Sequence, residues 1–228
     1  MRTRNHPSSI HLVVALITCL LVVPILAAAQ CPANRVTVSG TSSGELVFFV
    51  TDERSEAVLN VSFSNNSASC DLKAGTLSAV AWVYEATNHK SEVYAADVFE
   101  IHGAPTATFT IRLRLSFLYT ADFLRGFPGG HGRVEALGQY AESTFDPVTR
   151  RLDTPLDIEV TAMEGVPFTV RYEASASGYG FIPTADMNAR LKFIGLPEGV
   201  SITSCYGFGD SGVPVEETTW GSVKALYR

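Results

Sequence analysis

The sequence predicts an all-β protein: a two-sheet antiparallel β-sandwich, jelly-roll-like, with a short C-terminal tail of helical character. Three observations predict it. The stretch from Thr108 to Leu118, TFTIRLRLSFL, alternates apolar and polar residues without a break, which is typical of a strand with one buried face. Short runs of similar character recur between turn-forming residues. No segment of the domain has the apolar spacing of an amphipathic helix. A curved barrel is the second architecture that this pattern allows.

The first 29 residues have the organisation of a secretory signal peptide. Arg2 and Arg4 form a basic head, an apolar run covers residues 10–25, and three alanines end the segment at Ala29. The apolar run is short for a membrane helix, which needs about 20 residues. We therefore expect the leader to be cleaved, leaving no membrane span in the mature chain.

The rest of the chain is predicted to form one β-sandwich domain over residues 30–212, followed by a linker and tail over 213–228. The whole chain has a formal net charge of −6, and the leader carries two arginines and no acid. Its removal therefore makes the mature chain more acidic by two charges. An acidic protein without a basic cluster is a poor ligand for nucleic acid or for an anionic membrane surface.

The predicted strands come in order along the chain. Each is an alternating or compact apolar run, and Gly, Asn, Asp or Pro separates it from the next. The run beginning at Thr76 would also suit a helix, but its β-branched and aromatic residues favour a strand. Besides the stretch at 109–118, the predicted strands cover residues 35–39, 45–51, 57–63, 68–72, 76–84, 92–101, 133–143, 156–162, 166–174, 189–194 and 200–204.

Two glycine-rich segments are predicted to be loops. The sequence RGFPGGHG at residues 125–132 is the most turn-dense part of the chain. A phosphate-binding loop would need a helix behind it, and a strand is expected instead, so we interpret the segment as a wide turn. The second loop, SASGYGFIP at residues 175–183, contains two aromatic residues between glycines.

Three cysteines remain after cleavage, which allows one disulfide in an oxidising compartment and leaves one cysteine over. We predict a bridge between Cys70 and Cys205, which would tie an early strand to the end of the last one. A bridge between Cys31 and Cys205 is the close alternative, because the ends of a sandwich often lie near one another. Cys31 also stands just after the cleavage region, where a bacterial lipoprotein carries its lipid.

A resemblance to a known group covers nearly the whole mature chain. The quoted stretches are Ala68-Ser-Cys-Asp-Leu72, Gly75-Thr-Leu77 with Ala79, the oscillating central run, Ala185-Asp186, and Gly195-Leu-Pro-Glu-Gly199 with Val200-Ser-Ile-Thr-Ser204. They resemble the secreted sandwich proteins of environmental bacteria that often carry PEP-CTERM sorting tails. The resemblance implies an exported all-β protein. The sorting tail itself is absent from the end of this sequence, so only the domain is similar.

The motif Gly209-Asp-Ser-Gly212 also occurs around the nucleophile of chymotrypsin-like serine proteases. That chemistry needs a histidine base, an acid to orient it and an oxyanion site. None of the histidines at 89, 102 and 131 stands in a matching context, and only 16 residues follow the motif. We interpret it as a turn, and we expect neither a catalytic site nor a metal or other cofactor.

Exposed aromatic side chains suggest a different activity, because carbohydrate-binding sandwiches stack sugars on them. Tyr179 and Phe181 are the better candidates, since they are expected on a loop rather than on the apolar face of a strand. The other candidates are Trp82, Tyr140 and Tyr172.

The tail after residue 213 combines a Pro-Glu linker with a short amphipathic segment. On a helix, Trp220, Val223 and Tyr227 would share one face. So short a helix is not stable alone in water. We therefore consider a recognition tag for export or sorting machinery beside the simpler interpretation of a frayed terminus.

Together these features predict an exported, non-catalytic β-sandwich protein, a component of the cell surface or extracellular matrix, or of the periplasm. The alternative is a carbohydrate-binding module with extracellular polysaccharide as its partner, and the third is a hydrolase of unknown type.

Overall fold

The computed structural model describes residues 31–42, 45–82, 87–104, 106–121, 126–180 and 184–208. Every regular element among them is a β-strand. The thirteen strands are β1 (Asn34–Ser42), β2 (Glu45–Arg54), β3 (Val58–Phe63), β4 (Asn66–Asp71), β5 (Thr76–Trp82), β6 (Thr87–His102), β7 (Thr108–Ala121), β8 (Gly126–Ala136), β9 (Gln139–Thr144), β10 (Leu156–Met163), β11 (Phe168–Gly180), β12 (Thr184–Ile194) and β13 (Ser201–Ser204).

The strands form two antiparallel sheets that pack face to face. Sheet A has the order β2-β1-β6-β11-β8-β9, with β13 also paired to β6, and sheet B has the order β10-β7-β12-β5-β4-β3. Each sheet ends in edge strands, so the described residues form an open sandwich and not a closed barrel. The predicted β-sandwich is confirmed.

The strand order is that of a jelly roll. β8 pairs with β9, β7 with β10, β6 with β11, and β5 with β12, all antiparallel. These four nested pairs fall alternately in sheet A and sheet B, as happens when one long hairpin rolls over on itself. Two N-terminal hairpins then widen the roll: β1 and β2 extend sheet A beyond β6, and β3 and β4 extend sheet B beyond β5.

The alternating stretch at 108–118 forms β7, as predicted, and its faces are those expected from the period of two. Leu113 and Leu115 are fully buried in the core between the sheets, whereas Arg112 is exposed. Leu113 lies opposite Ile158 of β10 on one side and Phe193 of β12 on the other. The strand is therefore second from the edge of sheet B rather than at its centre.

The glycine-rich segment at 126–132 is not the predicted turn; it is the first part of β8. Its inward-facing glycines make room for aromatic rings of β7 that cross from the opposite sheet. A Cβ at Gly130 would stand 2.7 Å from the ring of Tyr119, and one at Gly132 would overlap the ring of Phe117. Glycine is required here for close packing and not for a turn.

Two further boundaries differ from the prediction. Residues 175–180 are not a loop, because β11 continues through them and pairs with both β6 and β8. The single strand predicted at 133–143 is a hairpin, with a two-residue turn at Leu137 and Gly138. Both turn residues have positive φ angles, 49° and 78°, which matches the right-handed twist of the flanking strands.

The two ends of the domain meet on one side of β6. β1 pairs with residues 88–94 of β6, and β13 pairs with residues 99–102 of the same strand. Between these two stretches, Asn34 Oδ1 accepts a hydrogen bond of 2.8 Å from the amide of Ala96, and the amide of Cys205 donates one of 2.9 Å to the carbonyl of Val98. β13 and β1 thus lie end to end along β6. The backbone groups of Ala96 and Val98, which lie between them on β6, are hydrogen-bonded to Asn34 and Cys205.

A disulfide between Cys31 and Cys205 closes this junction, with the two Cα atoms 5.7 Å apart. The predicted pairing of Cys70 with Cys205 is wrong. Cys70 is a free, buried thiol on β4 of sheet B, whereas Cys205 follows β13 at the margin of sheet A. Because the sulfur of Cys31 is bonded to Cys205, it has no thiol left to carry a lipid.

Several predictions fall outside the described residues: the signal peptide at 1–29, the GDSG motif at 209–212, Phe181, and the tail with Trp220, Val223 and Tyr227. They stay predictions.

A pair of adjacent substitutions on β7 tests the faces of this strand. Leu113→Arg should prevent folding, because an unpaired charge in the core costs several kcal/mol, comparable to a total stability of about 5–15 kcal/mol. Arg112→Leu should fold, since the exposed ion pair that it removes, Arg112 to Glu159 at 2.6 Å, contributes little. Thermal unfolding by circular dichroism measures both; equal melting temperatures would contradict the assignment.

Removal of the disulfide should destabilise the domain much more than removal of the free thiol. The bridge closes a loop across a sequence separation of 174 residues, for which the chain-entropy model gives up to about 5 kcal/mol. We expect the Cys31→Ser, Cys205→Ser double variant to lose a large part of that in urea unfolding. Cys70→Ala should lose only the cost of a small cavity, about 1–2 kcal/mol. Non-reducing peptide mapping that found Cys70 in a bridge would contradict the connectivity.

Candidate functional site

Of the predicted sugar-stacking residues, the structure places Tyr179 on an open surface. It lies on β11 rather than on a loop, and 57% of its surface is exposed. Tyr172 is fully buried, Trp82 is half-buried, and Tyr140 is exposed with the guanidinium of Arg133 5.0 Å from its ring centroid. Tyr179 is therefore the only one of these four that is exposed without a described cation over its ring.

Tyr179 has an aromatic neighbour that sequence reasoning missed. Phe127 of β8 lies directly opposite Tyr179 in the register of β8 and β11, and its side chain is 72% exposed. Both side chains point outward from sheet A, since residues 128 and 178 on either side of the pair are buried. Side chains directly opposite each other on neighbouring strands have Cβ atoms about 5 Å apart. We call Phe127 and Tyr179 the aromatic platform.

Polar groups and glycine surround the aromatic platform. Asn88 of β6 continues the row on the other side of Tyr179. One step along the strands, Ser177 lies opposite Gly129, where a Cβ would stand only 2.6 Å from the serine hydroxyl oxygen. Because glycine and serine have short side chains, this row forms a shallow shelf beside the two aromatic residues.

Hydrogen-bonded and ion-paired side chains border the shelf on the same face of sheet A. His131 Nδ1 lies 3.2 Å from the hydroxyl of Thr144, and Lys90 pairs with Glu92 at 2.6 Å. Lys90 lies directly opposite Ser177, so the shelf ends at an ammonium group, whereas the row of Phe127, Tyr179 and Asn88 is neutral.

One group of side chains resembles in part the arrangement that a hydrolase would need. On the outward face of sheet A, Thr203 Oγ1 lies 3.1 Å from His102 Nε2, and His102 Nδ1 lies 3.7 Å from a carboxylate oxygen of Glu100. The order hydroxyl, imidazole, carboxylate is that of a nucleophilic triad, but 3.7 Å is too long for the hydrogen bond that would orient the imidazole. All three groups stand on an open sheet surface, so the arrangement does not favour the hypothesis of a hydrolase.

The described residues provide no group of three His, Cys, Asp or Glu side chains that could hold a metal ion. They also include no helix of the length and apolar character required to cross a bilayer.

Comparison with known proteins assigns neither a family nor a function to this chain. No protein-family model, curated protein or solved structure matches this chain. The function must therefore be argued from its surfaces.

An acidic side chain is buried in the core, away from both outer faces of the sandwich. Asp97 of β6 is fully buried, and its Oδ2 atom has no hydrogen-bond partner among the described residues. Burial raises the pKa of Asp97 from 3.8 to about 6, although the nearby Ser204 hydroxyl and the backbone amides of Val98, Tyr206 and Cys205 act to lower it. The carboxylate lies next to the backbone of Cys205 and Tyr206 at the disulfide junction, so we expect the stability of that region to depend on pH.

Folding raises the pKa of Asp97, so the stability that this group contributes should decrease as the pH increases. The folded state holds the proton of Asp97 more tightly than the unfolded state, so its contribution to stability is present in full below pH 3.8 and is lost as the pH rises through about 6. A shift of this size corresponds to about 3 kcal/mol. When the pH is raised from 4.5 to 8, the free energy of unfolding in urea should therefore decrease less for Asp97→Asn than for the natural protein.

An exposed carboxyl serves as the control: Glu53→Gln should leave the natural pH dependence of stability in place. Parallel pH dependence for Asp97→Asn and the natural protein would contradict the assignment to Asp97.

Proposed function

We propose that this chain is a non-catalytic domain of an exported protein that binds extracellular polysaccharide through the aromatic platform on sheet A. The observation that carries the proposal is the register of β8 and β11, which sets Phe127 directly opposite Tyr179 with both side chains exposed. Removal of aromatic surface from water is favourable, so two exposed rings side by side offer an apolar surface that a ligand can cover.

A sugar ring suits the platform and its surroundings. The C–H faces of a pyranose are apolar and pack on an aromatic face, while its hydroxyl groups point sideways and need polar partners. Asn88 and Ser177 stand in the positions where such partners are needed. A protein partner is less favoured, since a stable interface covers about 800 Å² on each side around an apolar centre, and two rings beside a polar shelf fall well below that.

The disulfide supports the exported setting of this proposal. Bridges of this kind persist in oxidising compartments, and the one between Cys31 and Cys205 joins the ends of the domain. Because Cys31 is used in the bridge, attachment of the protein to a surface would depend on its ligand rather than on a lipid at that residue. This fits a component of the surface or matrix that is retained by polysaccharide.

Removal of the platform tests the proposal. The natural protein should bind at least one member of an array of extracellular bacterial and plant polysaccharides. The Phe127→Ala, Tyr179→Ala double variant should bind it about tenfold to a hundredfold more weakly, because each ring contributes roughly 1 kcal/mol or more of contact.

Tyr140→Ala is the matched control, since it removes an exposed tyrosine from the same sheet outside the platform. Its affinity should remain that of the natural protein. Full retention of every polysaccharide by the double variant, or no binding by the natural protein, would reject the platform as the site.

A further inference from the structure

Sheet B carries a groove on its outward face, on the opposite side of the sandwich from the aromatic platform. It has a volume of about 620 Å³ and is lined by five neighbouring strands, β7, β12, β5, β4 and β3. Binding sites for small molecules and short chains have volumes in this range.

The size of the side chains explains the shape of the groove. Its floor lies over β4 and β5, where Ser69 and Ser78 stand opposite each other and are half-buried. Its walls are the exposed side chains of Asn60 on β3 and Asn188 on β12, which flank the two serines in the same row. Neighbouring strands are about 4.8 Å apart, so the walls stand about 14 Å apart across the floor.

A second row runs parallel to the first. Arg190 of β12 lies opposite Thr76 of β5, which lies opposite Asp71 of β4. Among the described residues, no hydrogen bond or ion pair engages the guanidinium of Arg190 or the side-chain amide of Asn60. Asn188 uses one amide hydrogen in a bond of 2.9 Å to Asp186, which leaves its carbonyl oxygen to accept another. The groove thus presents unused donors and acceptors on both walls.

The lining combines hydrogen-bonding groups on the walls with apolar carbon surface, so it suits an uncharged ligand that has both hydroxyl groups and apolar C–H faces. One guanidinium and one carboxylate line it, at Arg190 and Asp71, so their charges balance and neither an anion nor a cation is preferred. The lining has no exposed aromatic residue, because Phe117, its one aromatic, is directed into the core. A protein partner would need an apolar pocket for an anchor residue, whereas here the exposed apolar residues, Val58 and Leu118, stand apart on β3 and β7.

We infer that the groove on sheet B is a second glycan-binding site, which holds an extended, uncharged polysaccharide chain over β4 and β5 by hydrogen bonds from Asn60, Asn188 and Arg190. It differs from the platform in its chemistry, since its walls offer amide and guanidinium groups rather than aromatic rings. The inference extends the proposed function to a second surface, but the contacts that carry it are independent of Phe127 and Tyr179.

The test is made in the protein that already carries Phe127→Ala and Tyr179→Ala, so that binding at the platform is removed. This protein is applied to an array of uncharged and acidic polysaccharides, and affinities are measured by calorimetry for those that it retains. At least one uncharged polysaccharide should be retained, and adding Asn60→Ala and Asn188→Ala should weaken its binding at least tenfold. The matched control adds Asn65→Ala, which removes an exposed amide from the turn between β3 and β4 outside the groove, and should change nothing.

The results separate the two sites. If the protein without the platform binds no polysaccharide, or binds only acidic ones, or binds equally well with and without Asn60 and Asn188, the second site is rejected while the platform stands on its own measurement. If the platform substitutions alone change no affinity and the two asparagine substitutions abolish binding, the groove is supported and the platform is rejected. Thermal unfolding of each variant verifies that it is folded.

Discussion

The junction on β6 is the constraint on which the rest of the structure depends. A jelly roll of eight strands is wound from the middle of the chain, and its outer strands can separate unless the two ends are held. Here β1 and β13 share one side of β6, the disulfide joins Cys31 to Cys205, and the hydroxyl of Tyr206 donates a hydrogen bond to the carbonyl of Pro32. Because these contacts connect residues 174 positions apart, the first and last strands are held to the same central strand. The buried carboxyl of Asp97 lies beside this junction, so we expect the region that holds the ends together to respond to pH.

Packing between the sheets helps to determine where Phe127 lies. Phe117 and Tyr119 of β7 lean across the sandwich onto the glycines of β8, which lets the two sheets approach closely. Because the segment with these glycines is a strand and not a turn, β8 stays paired with β11 as far as residue 126. Phe127 therefore lies opposite Tyr179. The platform is therefore a consequence of core packing on the other face of the same strand.

The chemistry of the two outer faces is uneven. The ion pairs Arg112 to Glu159 and Arg114 to Asp157 join β7 to β10 at one margin of sheet B, where charged residues protect an edge strand from pairing with other chains. The groove on sheet B carries short hydroxyl and amide side chains together with Arg190 and Asp71, and one corner of sheet A carries two rings. Ion pairs also lie on inner strands of sheet A, where Glu135 of β8 pairs with Arg171 of β11, so charge is not confined to the edges.

The sequence by itself determined the fold class and most of the strands, because alternation with a period of two specifies a half-buried strand locally; β7 and β10 follow it residue by residue. It also singled out Tyr179, but on the expectation of a loop, whereas Tyr179 lies on β11; its role stays a prediction. Only the tertiary structure decided the features that depend on which strands become neighbours. The glycines at 129–132 have the composition of a turn, but aromatic side chains about 10 to 20 residues earlier in the chain require them in a strand. The hairpin turn has Leu137 where asparagine is usual, so it carried no local signal. Neither the partner of Cys205 nor the pairing of Phe127 with Tyr179 can be deduced from spacing along the chain, since both are consequences of strand order within sheet A.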